Sequence, residues 1–187
     1  MNGSPRKNGN TSAMLKEIVK IAEKKGASTT YVDLVDMEIH DCKACMKCKK
    51  EEGCSQRDDM DKLRPLVRDA DFLLLGSPVY MGDETGMMKC FSDRLYAFLK
   101  PSDTPGEYES RLEGGKKAMV LFTCQMPDGD KIYNYISIRY FRLLIKTLGY
   151  HDIRTFIIGG ALPSMDLRET PRAKAVLEEA ARFLQAP

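Results

Sequence analysis

The 187-residue sequence has no tryptophan, two histidines and no apolar run near the roughly 18 residues that a membrane-spanning helix needs. It also lacks an excess of charge of one sign, because 29 basic residues are matched by 27 acidic ones, for a net charge of +2. A balanced charge without a basic stretch provides no electrostatic attraction for nucleic acid. We therefore expect a protein that binds neither membranes nor nucleic acid.

Hydrolytic chemistry also lacks its usual residues. The two histidines, His40 and His151, lie in no recognisable nucleophile or metal motif, which argues against hydrolase triads and zinc hydrolases. The pair Asp58-Asp59 has the pattern of a helix cap with a charged first turn rather than that of an acid–base pair. We accordingly predict no catalytic side chain.

The first residues, Met-Asn-Gly-Ser-Pro-Arg-Lys, are basic and polar and contain no apolar stretch typical of a secretory signal. The expected location is therefore the cytoplasm. Six cysteines in a reducing compartment favour metal or redox chemistry over a disulfide framework.

Short apolar runs alternate with amphipathic stretches, a pattern typical of an α/β fold with a parallel sheet. The length indicates a single domain over residues 1–187. The pattern predicts strands at 29–35, 72–75, 116–124 and 153–158, and helices at 11–25, 59–70, 86–99, 131–148 and from 171 onward. Two long irregular segments remain, 36–57 and 100–115, and the second has no evident role.

A polar loop precedes the first predicted helix. Residues 3–12 read Gly-Ser-Pro-Arg-Lys-Asn-Gly-Asn-Thr-Ser, so backbone N–H groups and the helix dipole can bind a phosphate monoester. The loop matches neither the Walker pattern nor the dinucleotide Gly-x-Gly-x-x-Gly pattern. A polar turn that merely caps the helix is the open alternative.

A second loop, Gly-Ser-Pro-Val-Tyr-Met-Gly at residues 76–82, follows the most apolar strand, where open α/β sheets bind ligands. Backbone groups of residues 79–82 can bond the polar edge of a heterocycle, and Tyr80 can stack on it. A tight turn with an incidental tyrosine is the open alternative.

Over residues 2–160 these loops, with the continuation Asp-Glu-Thr-Gly-Met-Met-Lys-Cys-Phe-Ser-Asp-Arg-Leu, resemble the NADPH-dependent FMN reductase family. The resemblance implies a flavodoxin-like, doubly wound parallel sheet of order 2-1-3-4-5 in a three-layer α/β/α arrangement, with FMN as cofactor. It implies that the first loop holds the FMN phosphate, while the second loop and a third loop after the next strand line the isoalloxazine. The implied FMN-binding residues are Ser4, Arg6, Asn8, Asn10, Thr11, Ser12, Pro78, Val79, Tyr80, Met81, Gly82, Thr123, Cys124 and Gln125.

Four cysteines, Cys42, Cys45, Cys48 and Cys54, lie within thirteen residues of the 36–57 segment, which we interpret as an insertion. Four thiolates at close spacing can hold one [4Fe–4S] cluster, and the lysines at 43, 47, 49 and 50 can offset its negative charge. The spacing also resembles that of the iron–sulfur flavoproteins, a branch of the same family described as electron carriers in anaerobes. A structural zinc site and vacant thiols stay open as alternatives.

The other two cysteines carry weaker signals. Cys90 lies on an apolar helix and is expected in the core, because free cysteine packs as a small hydrophobe. Cys124 has two open assignments, at the flavin edge or in packing at the end of the core.

One feature departs from the family pattern. Only Met1 and Asn2 precede the first loop, whereas the central first strand of such a sheet needs about five residues. The expectation is a missing or truncated first strand, a misassigned start, or a strand donated by another segment or subunit.

The functional hypothesis is an FMN-dependent oxidoreductase that passes electrons between FMN, a [4Fe–4S] cluster and a redox partner. The resemblance implies NAD(P)H as co-substrate, ferredoxin or a small molecule as electron partner, and a homodimer or homotetramer. Tyr133 lies off the apolar stripe of the predicted helix 131–148, so it can face a second subunit or a nicotinamide. Two alternatives stay open. One is an NAD(P)H-dependent FMN or quinone reductase without a cluster, and the other is a flavin-free binding module whose loop is stiffened by zinc or thiols.

Overall fold

The computed structural model describes residues 1–184, and its centre is a parallel sheet. The strands are β1 (Phe72–Pro78), β2 (Leu99–Pro101), β3 (Tyr108–Ser110), β4 (Lys117–Thr123) and β5 (Asp152–Ile158). The α-helices are α1 (Asn10–Lys24), α2 (Lys47–Lys50), α3 (Met60–Asp69), α4 (Gly86–Arg94), α5 (Gly129–Ile132), α6 (Asn134–Phe141) and α7 (Pro171–Phe183). Short 3-10 turns cover Leu34–Asp36, Leu95–Phe98 and Leu167–Glu169.

The main sheet has the order β1-β4-β5, with all neighbours parallel. Its middle strand β4 is buried from Ala118 to Thr123, because helices cover both faces of the sheet. One face packs Met119 and Leu121 against helices α1 and α7, and the other packs Val120 and its neighbours against α3, α4 and α6. These two apolar clusters make the three-layer α/β/α arrangement that the resemblance implies.

The expected first strand is reduced to a bridge at Asn2. Asn2 pairs in parallel with Asp33 on one side and with Gly76 of β1 on the other. Its N–H donates to the Val32 carbonyl at 2.8 Å, and the Met1 amino group donates to the Leu74 carbonyl at 2.7 Å. The chain start therefore lies in line with the sheet, next to a cavity of about 680 Å³ lined largely by α1 and by residues 26–31 and 69–74.

The prediction of a strand at 29–35 is wrong. That segment contains one bridge residue, Asp33, followed by the 3-10 turn Leu34–Asp36. A ladder needs a partner of similar length, and the neighbouring segment supplies only Asn2 as a paired residue.

The long helix predicted at 131–148 is divided into three parts. The chain leaves helical geometry at Tyr133 (φ −103°, ψ 16°), between α5 and α6. After α6, residues Arg142–Thr147 form a π-helical turn. The helix predicted at 86–99 likewise ends at Arg94 and continues as a 3-10 turn.

The irregular segment 100–115 contains most of a small antiparallel hairpin, in which β2 pairs with β3. Strands of three residues are too short to produce a recognisable alternation of apolar and polar residues. Among residues 1–184, none of the helices combines the length and apolar character that a bilayer crossing requires.

Candidate functional site

A cavity of about 410 Å³ opens at the carboxyl ends of the parallel strands. Four loops surround it. The structure limits the first loop to residues 3–9, because α1 begins at Asn10, and the second loop to residues 79–85, between β1 and α4. The third loop covers residues 124–128 and the fourth loop residues 159–166. The lining residues are Ser4, Arg6, Asn8, Gly9, Asn10, Thr11, Pro78, Val79, Tyr80, Thr123, Cys124, Gln125, Met126, Tyr133, Ala161, Pro163 and Met165.

The amino terminus of α1 forms one wall of this cavity. Gly9 occupies the N-cap position with extended backbone, so no side chain accepts from the free N–H groups of the first turn. That turn also contains no acidic residue. Gly9, Asn10 and Thr11 line the cavity, so uncapped N–H donors and the positive end of the helix dipole are available to an anion there.

Buried polar contacts hold the first loop in shape. The Asn2 amide donates to Ser12 Oγ at 2.8 Å, and Ser12 Oγ in turn donates to the Arg6 carbonyl at 2.7 Å. The Arg6 N–H donates to Ser4 Oγ at 3.1 Å. Ser12 therefore supports the loop from beneath, and it is not among the residues that line the cavity.

Hydrogen bonds also join the loops to one another. The hydroxyl groups of Thr11 and Thr123 lie 2.7 Å apart, which ties α1 to the end of β4. Thr85 Oγ1 donates to the Gly3 carbonyl at 2.7 Å and accepts the Met88 N–H as the cap of α4. Asn10 Nδ2 donates to the Leu162 carbonyl at 2.9 Å. The cavity walls are thus held by side chains that the sequence places far apart.

The second loop contains a tight turn in which Tyr80 and Asp83 exchange backbone hydrogen bonds at 2.7 and 3.0 Å. Its central residues Met81 and Gly82 both have positive φ, at 50° and 87°. The Tyr135 hydroxyl donates to the Gly82 carbonyl. Met81 is fully exposed and Tyr80 is about half exposed, so the turn presents apolar side chains at the rim of the cavity.

An ionic cluster connects this turn to α6. Arg139 donates to both carboxylate oxygens of Asp83, at 2.7 and 2.5 Å, and also to the Glu84 carboxylate. Hydrogen bonding from Arg139 holds the pKa of the Asp83 carboxyl well below its usual range. Burial, with a further contribution from Asp83, raises the pKa of the Glu84 carboxyl to about 7.

The third and fourth loops lie against each other. The Ala161 N–H donates to the Cys124 carbonyl at 2.8 Å, and the Gly160 N–H donates to the Met126 carbonyl at 3.1 Å. A Cβ on Gly159 would overlap the backbone oxygens of Met126 and Pro127, so only glycine permits this close approach. The Cys124 thiol packs tightly against Gly129, and burial raises its pKa. Cys124 therefore lines the cavity while its sulfur serves packing.

Most of the sequence-predicted residues meet at this cavity. Of the fourteen, Ser12, Met81 and Gly82 do not line it. Gly9 also lines the cavity as part of the predicted first loop, and sequence reasoning missed Met126 and the fourth loop. The fourth loop had a usable signal, because Gly159-Gly160 directly follows a strand at the same edge of the sheet as the other loops.

The 36–57 segment carries the cysteines on its surface. Cys42 and Cys45 are exposed, whereas Cys48 and Cys54 are half-buried, and all four are free thiols. Cys45 Sγ lies 3.0 Å from Ser55 Oγ. Within residues 1–184, no three histidine, cysteine or acidic side chains converge in the geometry of a metal site. Cys90 is half-buried beside the buried Phe91.

This segment is anchored by a buried ion pair, Arg94–Asp58, whose two side chains are each 1% exposed. Arg94 donates to the Asp58 carboxylate at 2.5 and 3.1 Å and to the His40 carbonyl at 2.9 Å. Helix α4 begins at the second loop and ends at Arg94. At 1.5 Å per residue, the cavity and the cysteine segment are thus linked by a helix about 13 Å long.

Comparison with known proteins gives consistent sequence matches. A family model for NADPH-dependent FMN reductase matches residues 1–131. An iron-sulfur flavoprotein of Archaeoglobus fulgidus is 40% identical over 106 residues, which cover 57% of this chain and 48% of the relative. An iron-sulfur flavoprotein of Clostridioides difficile is 30% identical over 148 residues, covering 74% and 65%. The chain spans about half the length of most curated relatives that it matches.

Solved structures match over nearly the whole chain. An NAD(P)H:quinone oxidoreductase from Methanothermobacter marburgensis has a TM-score of 0.72 at 17% identity, covering 97% of this chain and 93% of that protein. An FMN-dependent NADH-azoreductase from Bacillus anthracis, solved in complex with FMN, has a TM-score of 0.69 at 16% identity, covering 98% and 97%. At such low identity these matches show a shared fold.

Proposed function

Because the chain belongs to the NADPH-dependent FMN reductase family, we propose that the four-loop cavity binds FMN and that the protein is a flavin-dependent oxidoreductase. The observation that carries the proposal is the uncapped amino terminus of α1, which supplies an anion site at one wall of the cavity. The other loops provide apolar side chains and backbone polar groups. This arrangement, with an anion site at one wall and apolar groups at the others, suits a molecule that has a phosphate at one end and a planar heterocycle at the other.

Different residues of the cavity bind the phosphate and the isoalloxazine of FMN. The first loop and the N–H groups of Asn10 and Thr11 bind the phosphate, with Arg6 at the exposed rim. Val79 and Tyr80 offer backbone groups and a ring to the isoalloxazine. When bound, FMN supplies two-electron and one-electron chemistry, while the protein supplies binding, orientation and electrostatics.

The expected electron donor is NAD(P)H, and the acceptor is a ferredoxin or a small molecule. Tyr80, Met126 and Tyr133 line the cavity, and the side chains of the first two are about half exposed. An open, partly apolar rim allows a second planar molecule to approach the flavin ring.

FMN is expected to bind about 100-fold more tightly than riboflavin. The phosphate would gain at least two charge-assisted hydrogen bonds at α1, together about 3 kcal/mol, and each 1.4 kcal/mol changes affinity tenfold. Fluorescence titration of the purified chain with each flavin measures the ratio. Equal affinities for FMN and riboflavin would contradict the assignment of the phosphate site to the amino terminus of α1.

We further propose a [4Fe–4S] cluster on Cys42, Cys45, Cys48 and Cys54. The set of four thiols is chemically suited to iron–sulfur ligation. The surroundings also fit a negatively charged group, because Lys49, Arg94 and Arg111 lie around the segment and the buried Nε atoms of both arginines have no hydrogen-bond partner among the described residues. The competing assignments, zinc or vacant thiols, leave the flavin proposal intact.

Cys48→Ser is expected to reduce iron uptake to less than about half of the wild-type level after anaerobic reconstitution, because a four-iron cluster needs all of its ligands. The matched control is Cys90→Ser, which removes a half-buried thiol outside the segment and should leave iron and sulfide at about four per chain. Iron and acid-labile sulfide assays decide the matter. Zinc in place of iron, or equal iron in the two variants, would contradict the cluster proposal.

A homo-oligomer is also proposed. The outer side of α6 exposes Tyr135, Ile138 and Phe141, each between 42% and 51%, and the fully exposed Met81 lies on the turn bonded to Tyr135. Large apolar side chains exposed together mark interaction surfaces. A second copy covering this surface would approach the cavity rim, and sedimentation velocity showing only single chains at micromolar concentration would count against it.

A further inference from the structure

Three cationic side chains from separate elements lie in the cysteine segment or contact it. Lys49 of α2 donates to the Tyr96 and Leu99 carbonyls at 2.6 and 2.7 Å, and its Nζ lies 3.5 Å from the centre of the Tyr96 ring. Arg111, which follows β3, donates from Nη2 to the Cys48 carbonyl at 3.3 Å. Arg94, at the end of α4, is the third.

Two of these cations have an unused donor. The Nε atoms of Arg94 and Arg111 are buried, and within residues 1–184 neither has a hydrogen-bond partner. Buried donors in native proteins are nearly always paired, because an unpaired one costs about 1–3 kcal/mol. The two orphaned N–H groups therefore indicate that an acceptor belongs next to them.

Backbone contacts place these cations close to the cysteines. Lys49 directly follows Cys48 in α2, and Arg111 contacts the Cys48 carbonyl. Arg94 donates to the His40 carbonyl at 2.9 Å, two residues before Cys42.

The β2–β3 hairpin explains how Arg111 reaches this place. The Arg111 N–H donates to the Phe98 carbonyl at 2.7 Å, directly beyond the paired residues Leu99 and Ser110. Tyr96 and Tyr108 stack edge to face, with Lys49 over both rings. The hairpin therefore packs beside the cysteine segment and fixes the position of Arg111.

We propose that Arg111 and Arg94 donate their Nε–H groups to sulfur atoms of the cluster bound by the cysteine segment and thereby raise its reduction potential. The proposal rests on the cluster proposed above. Hydrogen bonds to the sulfurs and nearby positive charge favour the reduced, more negative cluster. Both arginines act as tuning and positioning residues and not as ligands, and the hairpin formed by β2 and β3 serves to hold one of them.

Arg111 is the residue to vary, because Arg94 also carries the buried ion pair with Asp58. In reconstituted, flavin-loaded protein, Arg111→Met is expected to shift the equilibrium between reduced and oxidised cluster about tenfold toward the oxidised form, which for one electron lowers the midpoint potential by about 59 mV. Arg111→Lys keeps the charge but not the Nε–H and should give a smaller fall. Lys24→Met, which removes an exposed charge at the end of α1, should give no shift.

Redox titration followed by electron paramagnetic resonance measures these potentials, and iron content is determined on the same samples. Arg111→Met with full iron and the wild-type potential would overturn the tuning role and leave the cluster standing. The wild-type potential in Arg111→Lys, beside a fall in Arg111→Met, would overturn the Nε–H hydrogen bond and leave a role for charge alone. Wild-type protein that takes up no iron would overturn both the cluster and the tuning role.

Discussion

Asp58→Ala is expected to destabilise the folded chain by about 3–5 kcal/mol, because it leaves the Arg94 guanidinium buried without its counterion. Asp58 also accepts the backbone N–H groups of His40 and Met60, at 3.1 Å each, so its loss would release the base of the cysteine segment as well. Urea denaturation of the variant and the wild type measures the difference. Lowering the pH should also destabilise the wild-type chain, because it protonates Asp58.

Although burial opposes it, bonding to Arg94 holds the pKa of Asp58 below its usual value. In the unfolded chain the Asp58 carboxyl has a pKa of about 3.9, so the ion pair with Arg94 contributes its full stabilisation above that pH. It is lost as the pH falls through the lower folded value. Stability should therefore decline on the acid side of about pH 4 in the wild type more than in Asp58→Ala.

The matched control is Asp93→Ala, which breaks the neighbouring Lys89–Asp93 pair on the same helix, where both side chains are more than 40% exposed. Exposed pairs contribute about 0–1 kcal/mol, so this variant should be close to the wild type. If Asp58→Ala does not fold, the double variant Asp58→Leu with Arg94→Met should recover part of the stability, because it removes the buried unpaired charge while the N–H groups of His40 and Met60 still lose their acceptor. Equal small losses in the two single alanine variants would contradict the anchoring role.

The parts of the fold that the sequence predicts well are those with long, regular patterns. Strands β1, β4 and β5 have recognisable apolar runs because they are buried in the sheet. Helix α1 has a recognisable amphipathic pattern because one of its faces is buried. The strand expected at 29–35 had the right composition but lacked a partner, since pairing there depends on Asn2 alone. Propensity without a partner strand does not make a ladder.

At the candidate site, the sequence likewise predicts the positions of the loops but not the contacts between them. Three loops were predictable because the carboxyl ends of parallel strands meet at one edge of a sheet. The contacts that shape them were not, because Thr11–Thr123, Thr85–Gly3 and Asn10–Leu162 join residues 82 to 152 positions apart. The same holds for Arg94–Asp58, since both residues look like ordinary surface charges in the sequence.

Gly159→Ala is expected to weaken FMN binding by about 10- to 100-fold, which corresponds to about 1.4–3 kcal/mol. The added Cβ would overlap the backbone oxygens of Met126 and Pro127, and backbone atoms cannot rotate away as a side chain can. The third and fourth loops must then separate, although both contribute residues to the cavity wall. Fluorescence titration with FMN measures the change in affinity.

Gly114→Ala is the matched control, because a Cβ there meets no atom within 4 Å and the substitution changes the same single methyl group. It should bind FMN like the wild type and be equally or slightly more stable, since alanine restricts the unfolded chain. Gly159→Ala should also lose about 1–3 kcal/mol of stability from overpacking. If the FMN-free variant keeps a cooperative urea transition, a loss of FMN affinity cannot arise from global unfolding. The urea denaturation and the FMN titration together then assign the loss of affinity to the contact between the third and fourth loops. Unchanged FMN affinity in Gly159→Ala would mean that the fourth loop does not shape the flavin site.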